Sequence, residues 1–231
     1  EASLKRLQRD VIDLYYMHRP DKNVPIEDSM GAMADLVKEG KIRMVGLSEM
    51  GAGLLRRAHA VHPVSAMQSE YSLLTRNPEI AVLDACRELG VTFVPFSPVG
   101  RGYLADNPPA PKDYHASDMR RIFPRWTEPY WTENLPLLKQ AQEMAGDLGC
   151  TMSQLAIAWT LVKDTDCVPI PGTTSRKHLK DNFAAAQVSL TPEQVAHLDA
   201  VFAPEAVKGP RYNEMAQASV DTEQYPFELT A

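Results

Sequence analysis

Short runs of β-branched and aromatic residues alternate with longer amphipathic stretches along most of this chain, and glycine or proline marks many of the joins. Residues 11–17 (VIDLYYM), 42–47 (IRMVGL), 64–69 (VSAMQS), 91–96 (VTFVPF) and 167–171 (CVPIP) have the length and composition of strands. Between them, residues 26–39 set Ile26, Met30, Met33, Leu36 and Val37 on one stripe, with Pro25 suited to a first turn and Gly40 to a helix end. Residues 2–9, 52–59, 78–89 (ended by Gly90), 134–148, 152–163, 176–184 and 192–202 read as further helices. Strand alternating with helix implies a parallel sheet covered by helices. No strand is followed by the G-x-G-x-x-G turn of a doubly wound dinucleotide fold, so an open sheet is the second choice and a section of a (β/α)8 TIM barrel the first.

The long Pro-rich segment 97–132 has little periodicity, and the tail 204–231 is expected to be irregular. The whole chain, residues 1–231, is expected to form one domain that includes both segments. A net charge of −6 argues against non-specific nucleic-acid binding, which needs a basic face. Three scattered cysteines, Cys86, Cys150 and Cys167, form no C-x-x-C pair. They predict neither a disulfide framework nor a zinc site, and point to a reducing, cytoplasmic setting. No apolar run reaches the about 18 residues of a membrane span.

In a parallel barrel the chemistry gathers beyond the C-terminal strand ends, and hydrogen-bonding groups recur there: His18-Arg19, Ser48-Glu49, Gln68-Ser69-Glu70, Ser97 to Gly102 and Gly172 to Arg176. The last two join glycine, hydroxyls and arginine, a set suited to phosphate, because glycine admits close backbone approach and arginine pairs with phosphate oxygens. Two ordinary turns would read the same way. His18 is either a strand-capping histidine or a hydrogen-bond donor to a carbonyl oxygen. Gln68 is either a buried interior amide or a partner for a carboxamide. Phe96 is either plain core or a flat face for a planar ring. Trp126, Tyr130 and Trp131 either wall a substrate pocket or pack the long segment down. A metal-dependent barrel would need His and carboxylate ligands on several strand ends, and only His18 with Glu49 or Glu70 is available.

In this order, DLYYMHRPD, GKIRMVGLSE, MQSEYSLLTR, FVPFSPVGRGYL and VPIPGTTSRKHLKDN resemble the aldo-keto reductases over residues 3–202. The resemblance implies an NADPH-dependent oxidoreductase that reduces a small-molecule aldehyde or ketone to an alcohol by hydride transfer. It makes His18 the catalytic histidine and Ser48, Glu49 (Asn in many relatives) and Gln68 the carboxamide contacts. Phe96 matches the ring that stacks on nicotinamide. Ser97, Val99, Gly100 and Arg101 match the pyrophosphate loop. Gly172, Thr173, Ser175 and Arg176 surround the 2′-phosphate, and Asp181 and Asn182 meet adenine and ribose; His178 stands where many relatives place Arg. The family's catalytic Asp, Tyr and Lys have no counterpart in this sequence. The chain is therefore expected to hold about five of the eight βα units, the fourth to the eighth, and to be impaired in turnover. The same resemblance admits an NADPH-binding regulatory module of this fold. His18 is expected at one end of the bound dinucleotide, with Arg101 and Arg176 at the other.

Overall fold

The computed structural model describes residues 1–163 and 166–229. It is an α/β structure built on a parallel sheet, and its contacts divide the chain into two compact units. The first unit comprises residues 1–69, 78–94 and 218–223. Its order is α1 (Ala2–Leu7), β1 (Ile12–Met17), α2 (Ile26–Lys38), β2 (Ile42–Ser48), α3 (Ala52–Val61), β3 (Val64–Glu70, whose last residue belongs to the second unit), α4 (Val82–Leu89) and β4 (Thr92–Phe96, whose last two residues belong to the second unit). The strands lie in sequence order, β1-β2-β3-β4. β1 runs parallel to β2 and β2 parallel to β3, with Ile12 opposite Ile42, Tyr16 opposite Gly46 and Ser48 opposite Gln68.

Helices α2, α3 and α4 each turn a short apolar stripe inward. Ile26, Met30 and Met33 are buried from α2, Leu55 and Ala58 from α3, and Val82, Leu83 and Cys86 from α4. Helix α2 ends where Gly40, at φ +71°, lets its own N–H reach Val37 O and the Lys41 N–H reach Leu36 O. Gly90 ends α4 in the same left-handed conformation. Gly46 serves a different need. It sits at a register shift in β2, and the Tyr16 ring lies where its Cβ would be, at 2.5 Å.

The expected irregular tail is partly ordered, though its last residues, Thr230 and Ala231, lie outside the described residues. Residues 218–223 return to the first unit, where Asp221 N–H donates to Glu49 O (3.0 Å) and Met50 and Asp221 form a parallel bridge. The Glu223 carboxylate then accepts the Ala52 N–H at 2.6 Å. Helix α3 needs this partner. Its first residue is preceded by Gly51, which has no side chain to cap with, and a Cβ on Gly51 would lie 2.8 Å from Asp221 O.

The second unit comprises residues 70–77, 95–217 and 224–231. Its helices are α5 (Tyr130–Glu133), α6 (Leu135–Asp147), α7 (Met152–Lys163), α8 (Arg176–Ala184), α9 (Pro192–Val201) and α10 (Glu214–Ala218). Helix α7 is apolar along most of its length and covered through its middle: Leu155, Ala156, Ile157, Ala158 and Trp159 are buried. The segment expected to be a featureless loop, residues 97–132, is a chain of 3-10 turns at Gly100–Gly102, Pro111–Asp113, Met119–Ile122 and Pro124–Trp126.

In place of the strand expected at residues 167–171, Cys167 and Ile170 are single bridge residues; Ile170 bridges Phe96 in parallel, and its N–H donates to Pro95 O at 2.9 Å. Pro169 and Pro171 have no N–H, so the edge of this segment turned away from β4 carries no donors at those two positions.

Two alanine substitutions should move stability in opposite directions. Gly46→Ala forces a methyl group into the Tyr16 ring and should cost about 1–3 kcal/mol. Gly53→Ala, inside α3 with open space around it, should add about 0.4–1 kcal/mol by narrowing the unfolded ensemble. Urea midpoints measure both, and a neutral Gly46→Ala would contradict the packing described.

Candidate functional site

A cleft of about 890 Å³ lies wholly within the second unit. One wall is the turn that follows β4. Its backbone is unusual, with Ser97, Gly100, Arg101 and Gly102 all at positive φ (52°, 56°, 54° and 88°). The turn is expected to aim N–H groups at an anion, yet it uses many of them internally. Gly100 N–H donates to Ser97 O (2.8 Å), Gly102 N–H to Val99 O (3.0 Å), Tyr103 N–H to Gly100 O (3.0 Å) and Leu104 N–H to Val99 O (3.2 Å). Gly100 is buried, and a Cβ there would meet Leu74 at 2.8 Å. This glycine therefore serves packing and a tight turn. Ser97, Val99, Arg101 and the half-exposed ring of Phe96 line the cleft, and Gly100 does not.

The opposite wall follows the Ile170 bridge. Ser175 caps α8, its Oγ accepting the His178 N–H at 3.4 Å, and its own N–H donates to Thr173 Oγ1 at 3.1 Å. The positive end of the α8 dipole thus borders the cleft. Gly172, Thr173, Asp181 and Asn182 line it as expected. Ser175 and Arg176 do not; the next residues, Lys177 and His178, take their place. Lys177 had no signal beyond following Arg176 in the first turn of a helix. Arg120 also lines the cleft, from within the aperiodic segment. It pairs with Asp118 (2.7 Å), lies 4.4 Å from the centre of the Tyr114 ring, and donates to Arg101 O at 3.1 Å.

The guanidinium of Arg101 is engaged below the cleft. Its Nη2 donates to Glu70 Oε2 at 2.7 Å and to Tyr212 OH at 3.3 Å. The rings of Phe123, Trp126 and Tyr212 surround it at 4.7, 5.2 and 5.3 Å. Glu70 has no solvent-exposed side-chain surface, and Arg211 stands 3.6 Å from the same oxygen. Burial pushes the Glu70 carboxyl up, but Arg101, Arg211 and Arg125 together outweigh it and hold the group below the usual carboxylate range. Burial also brings the Arg125 guanidinium down to about 10, against the pull of Glu70 and Glu228.

The remaining expected residues belong to the first unit. His18 is exposed immediately after β1, and its carbonyl accepts from Arg19 at 2.6 Å. Ser48 is buried at the end of β2, accepts a hydrogen bond from Arg19 Nη1 (3.1 Å) and stands opposite Gln68 in register. Glu49 is buried in a left-handed conformation (φ 55°), its N–H donating to Gln68 O at 2.9 Å. Asn adopts that conformation more readily than Glu. Gln68 shares a hydrogen bond with the Tyr16 hydroxyl, whose pKa burial raises despite that bond. Ser48 and Gln68 thus come together at neighbouring strand ends, while Arg101 and Arg176 lie in the other unit. Among the described residues, no group of three or more His, Cys, Asp or Glu is arranged to hold a metal.

Comparison with known proteins finds the aldo/keto reductase family model matching residues 1–203. The chain is 41% identical over 228 residues to aldo-keto reductase str7 of Strobilurus tenacellus, covering 97% of this chain and 68% of that protein. Among solved structures it resembles a thermostable aldo-keto reductase, Tm1743, crystallised with the inhibitor epalrestat (29% identity, TM-score 0.68, 86% of this chain). It also resembles a glycerol dehydrogenase from Gluconobacter oxydans (24% identity, TM-score 0.81, 90% of this chain), a likeness of fold alone. The chain spans 63% of the length of each of those two solved chains.

The depressed pKa of Glu70 has a pH signature. Its contribution to stability is complete above the ordinary carboxylate value of 4.5 and is lost as pH falls through the lower folded value. Urea midpoints measured downward from about pH 5 should therefore fall less steeply in Glu70→Gln than in the native protein. Equal slopes would show that Glu70 does not drive the acid limb.

Proposed function

Because the chain belongs to the aldo/keto reductase family, we propose that it is part of an NADPH-dependent carbonyl reductase whose second-unit cleft holds the adenosine and pyrophosphate portion of the cofactor. The observation that carries this reading is the composition of the cleft. A strained Ser97–Gly102 turn faces the capped N-terminus of α8, and Arg120, Lys177 and His178 lie on its lining beside Arg101, whose guanidinium is paired with Glu70. Ser97 Oγ makes no hydrogen bond among the described residues, which leaves a donor for a phosphate oxygen. The cavity also has the size for an extended nucleotide.

The resemblance carries the remaining roles over residue by residue: Phe96 as the ring for the nicotinamide, Ser48 and Gln68 as contacts for the carboxamide, and His18 as the hydrogen-bond donor to the substrate carbonyl. The bound cofactor would supply hydride to the carbonyl carbon. The resemblance assigns the proton to a Tyr for which this sequence has no counterpart. This sequence by itself is therefore expected to bind the nucleotide and turn over slowly, a loss of about 10²–10⁴-fold for a missing general acid. The four strands of the sheet, with the bridged segment at residues 167–171, are read as the fourth to eighth strand positions of a (β/α)8 barrel. Three free cysteines suit a cytoplasmic setting, and no helix among the described residues is long and apolar enough to cross a membrane.

NADPH titrated into the protein should show enhanced, blue-shifted nicotinamide fluorescence, and it should bind more tightly than NADH. Lys177→Ala should weaken NADPH by roughly tenfold while leaving NADH nearly unchanged, since a charge-assisted contact to the 2′-phosphate is lost. Arg176→Ala should have the smaller effect. Equal dissociation constants for the two cofactors would defeat the 2′-phosphate assignment. Steady-state reduction of a nitrobenzaldehyde separates an enzyme from a binding module.

A further inference from the structure

The Ser97–Gly102 turn is held in a conformation that L-residues seldom adopt. Arg101 in particular is left-handed at φ 54° and ψ 31°. Such a conformation persists only where its surroundings over-determine it. Its main chain is restrained from outside by Arg120 Nη1 on Arg101 O (3.1 Å) and by Trp126 Nε1 on Gly100 O (2.9 Å). Its side chain is restrained from inside by one anion, Glu70, at 2.7 Å. That anion is built into the fold. Glu70 is the last residue of β3, is 1% exposed, and accepts a further hydrogen bond from Thr75 Oγ1 at 3.3 Å. It also faces Arg211. A buried carboxylate left with an unpaired guanidinium, or the reverse, is strongly unfavourable, so the position of Arg101 follows the position of Glu70.

We propose that Glu70 is a positioning residue for the cleft: through Arg101 it sets the shape of the Ser97–Gly102 wall and keeps the guanidinium in one place beneath it. This rests on reading the cleft as the nucleotide site. Glu70 touches no ligand on this account. It acts at a distance, by fixing the residue that carries both a wall carbonyl and a charge. The role differs from that of a plain core ion pair, which would support the whole unit without favouring the turn.

The experiment is a double-mutant cycle with two readouts. Glu70→Gln, Arg101→Gln and the double variant are compared by NADPH affinity and by hydrogen exchange of the amides of residues 97–104. Each single variant is expected to weaken NADPH by about tenfold, and the double variant no further, because both remove one shared interaction. Exchange at residues 97–104 is expected to rise by a similar factor, while the amides of α7 stay at native rates. Multiplied effects in the double variant, or exchange that rises equally in α7, would overturn the proposal. If Glu70→Gln does not fold, Arg101→Gln carries the exchange readout, since Glu70 there keeps Arg125 and Arg211 as neighbours; unchanged exchange at residues 97–104 would then overturn it. If the native protein fails to bind NADPH, the nucleotide reading falls by itself, and the exchange readout still decides whether Glu70 governs the turn.

Discussion

A single carboxylate with no exposed side-chain surface ties together four stretches of the second unit that share no regular secondary structure. Glu70 ends β3 and Thr75 follows it, Arg101 comes from the turn after β4, Arg125 from the 3-10 turn Pro124–Trp126, and Arg211 from the residues beyond α9. Taking these charges out of water is costly, and the cost is offset only when every partner is in place. The surrounding bonds show how fully that condition is met. Arg125 donates to Leu74 O, Thr75 Oγ1 and Gly209 O, so its guanidinium is spent on backbone and hydroxyl acceptors while Glu70 balances charge. A region that a helix or sheet ladder does not organise is thus organised by electrostatics and by three aromatic rings packed on one arginine.

Local regularities of the fold were legible in the residue pattern. The stripes of α2 and α4, the four paired strands and the left-handed glycines at 40 and 90 are each decided within a few residues. The places where the pattern misled have a common cause. Residues 167–171 have strand composition, but whether a strand pairs depends on a partner edge distant in sequence, and here Ile170 meets β4 while Pro169 and Pro171 offer no donors on the other edge. The tail from residue 204 has no periodicity because its order comes from partners far along the chain, Glu49 and Ala52 in one unit and Asn77 in the other.

The candidate site divides along the same line. Residues that follow strands in sequence, such as Ser97, Val99, Gly172 and Thr173, were found because strand ends are readable, and they do line the cleft. Side-chain direction was not readable. Arg101 turns its guanidinium toward Glu70, Arg176 yields its place to Lys177 one residue on, and Arg120 arrives from a segment with no periodic signal at all. Glycine at 100 invites a phosphate-loop interpretation from sequence, whereas its close neighbour Leu74 makes it a packing requirement first.

The bond from Ala52 N–H to Glu223 joins residues 171 positions apart. During synthesis helix α3 emerges long before the side chain that caps it. At ordinary ribosomal rates the interval is on the order of ten seconds or more. Through that time the first unit can collapse around its strands, but the N-terminus of α3 must rely on water. Completion of the first unit therefore waits for a side chain made 171 positions after the helix that it caps.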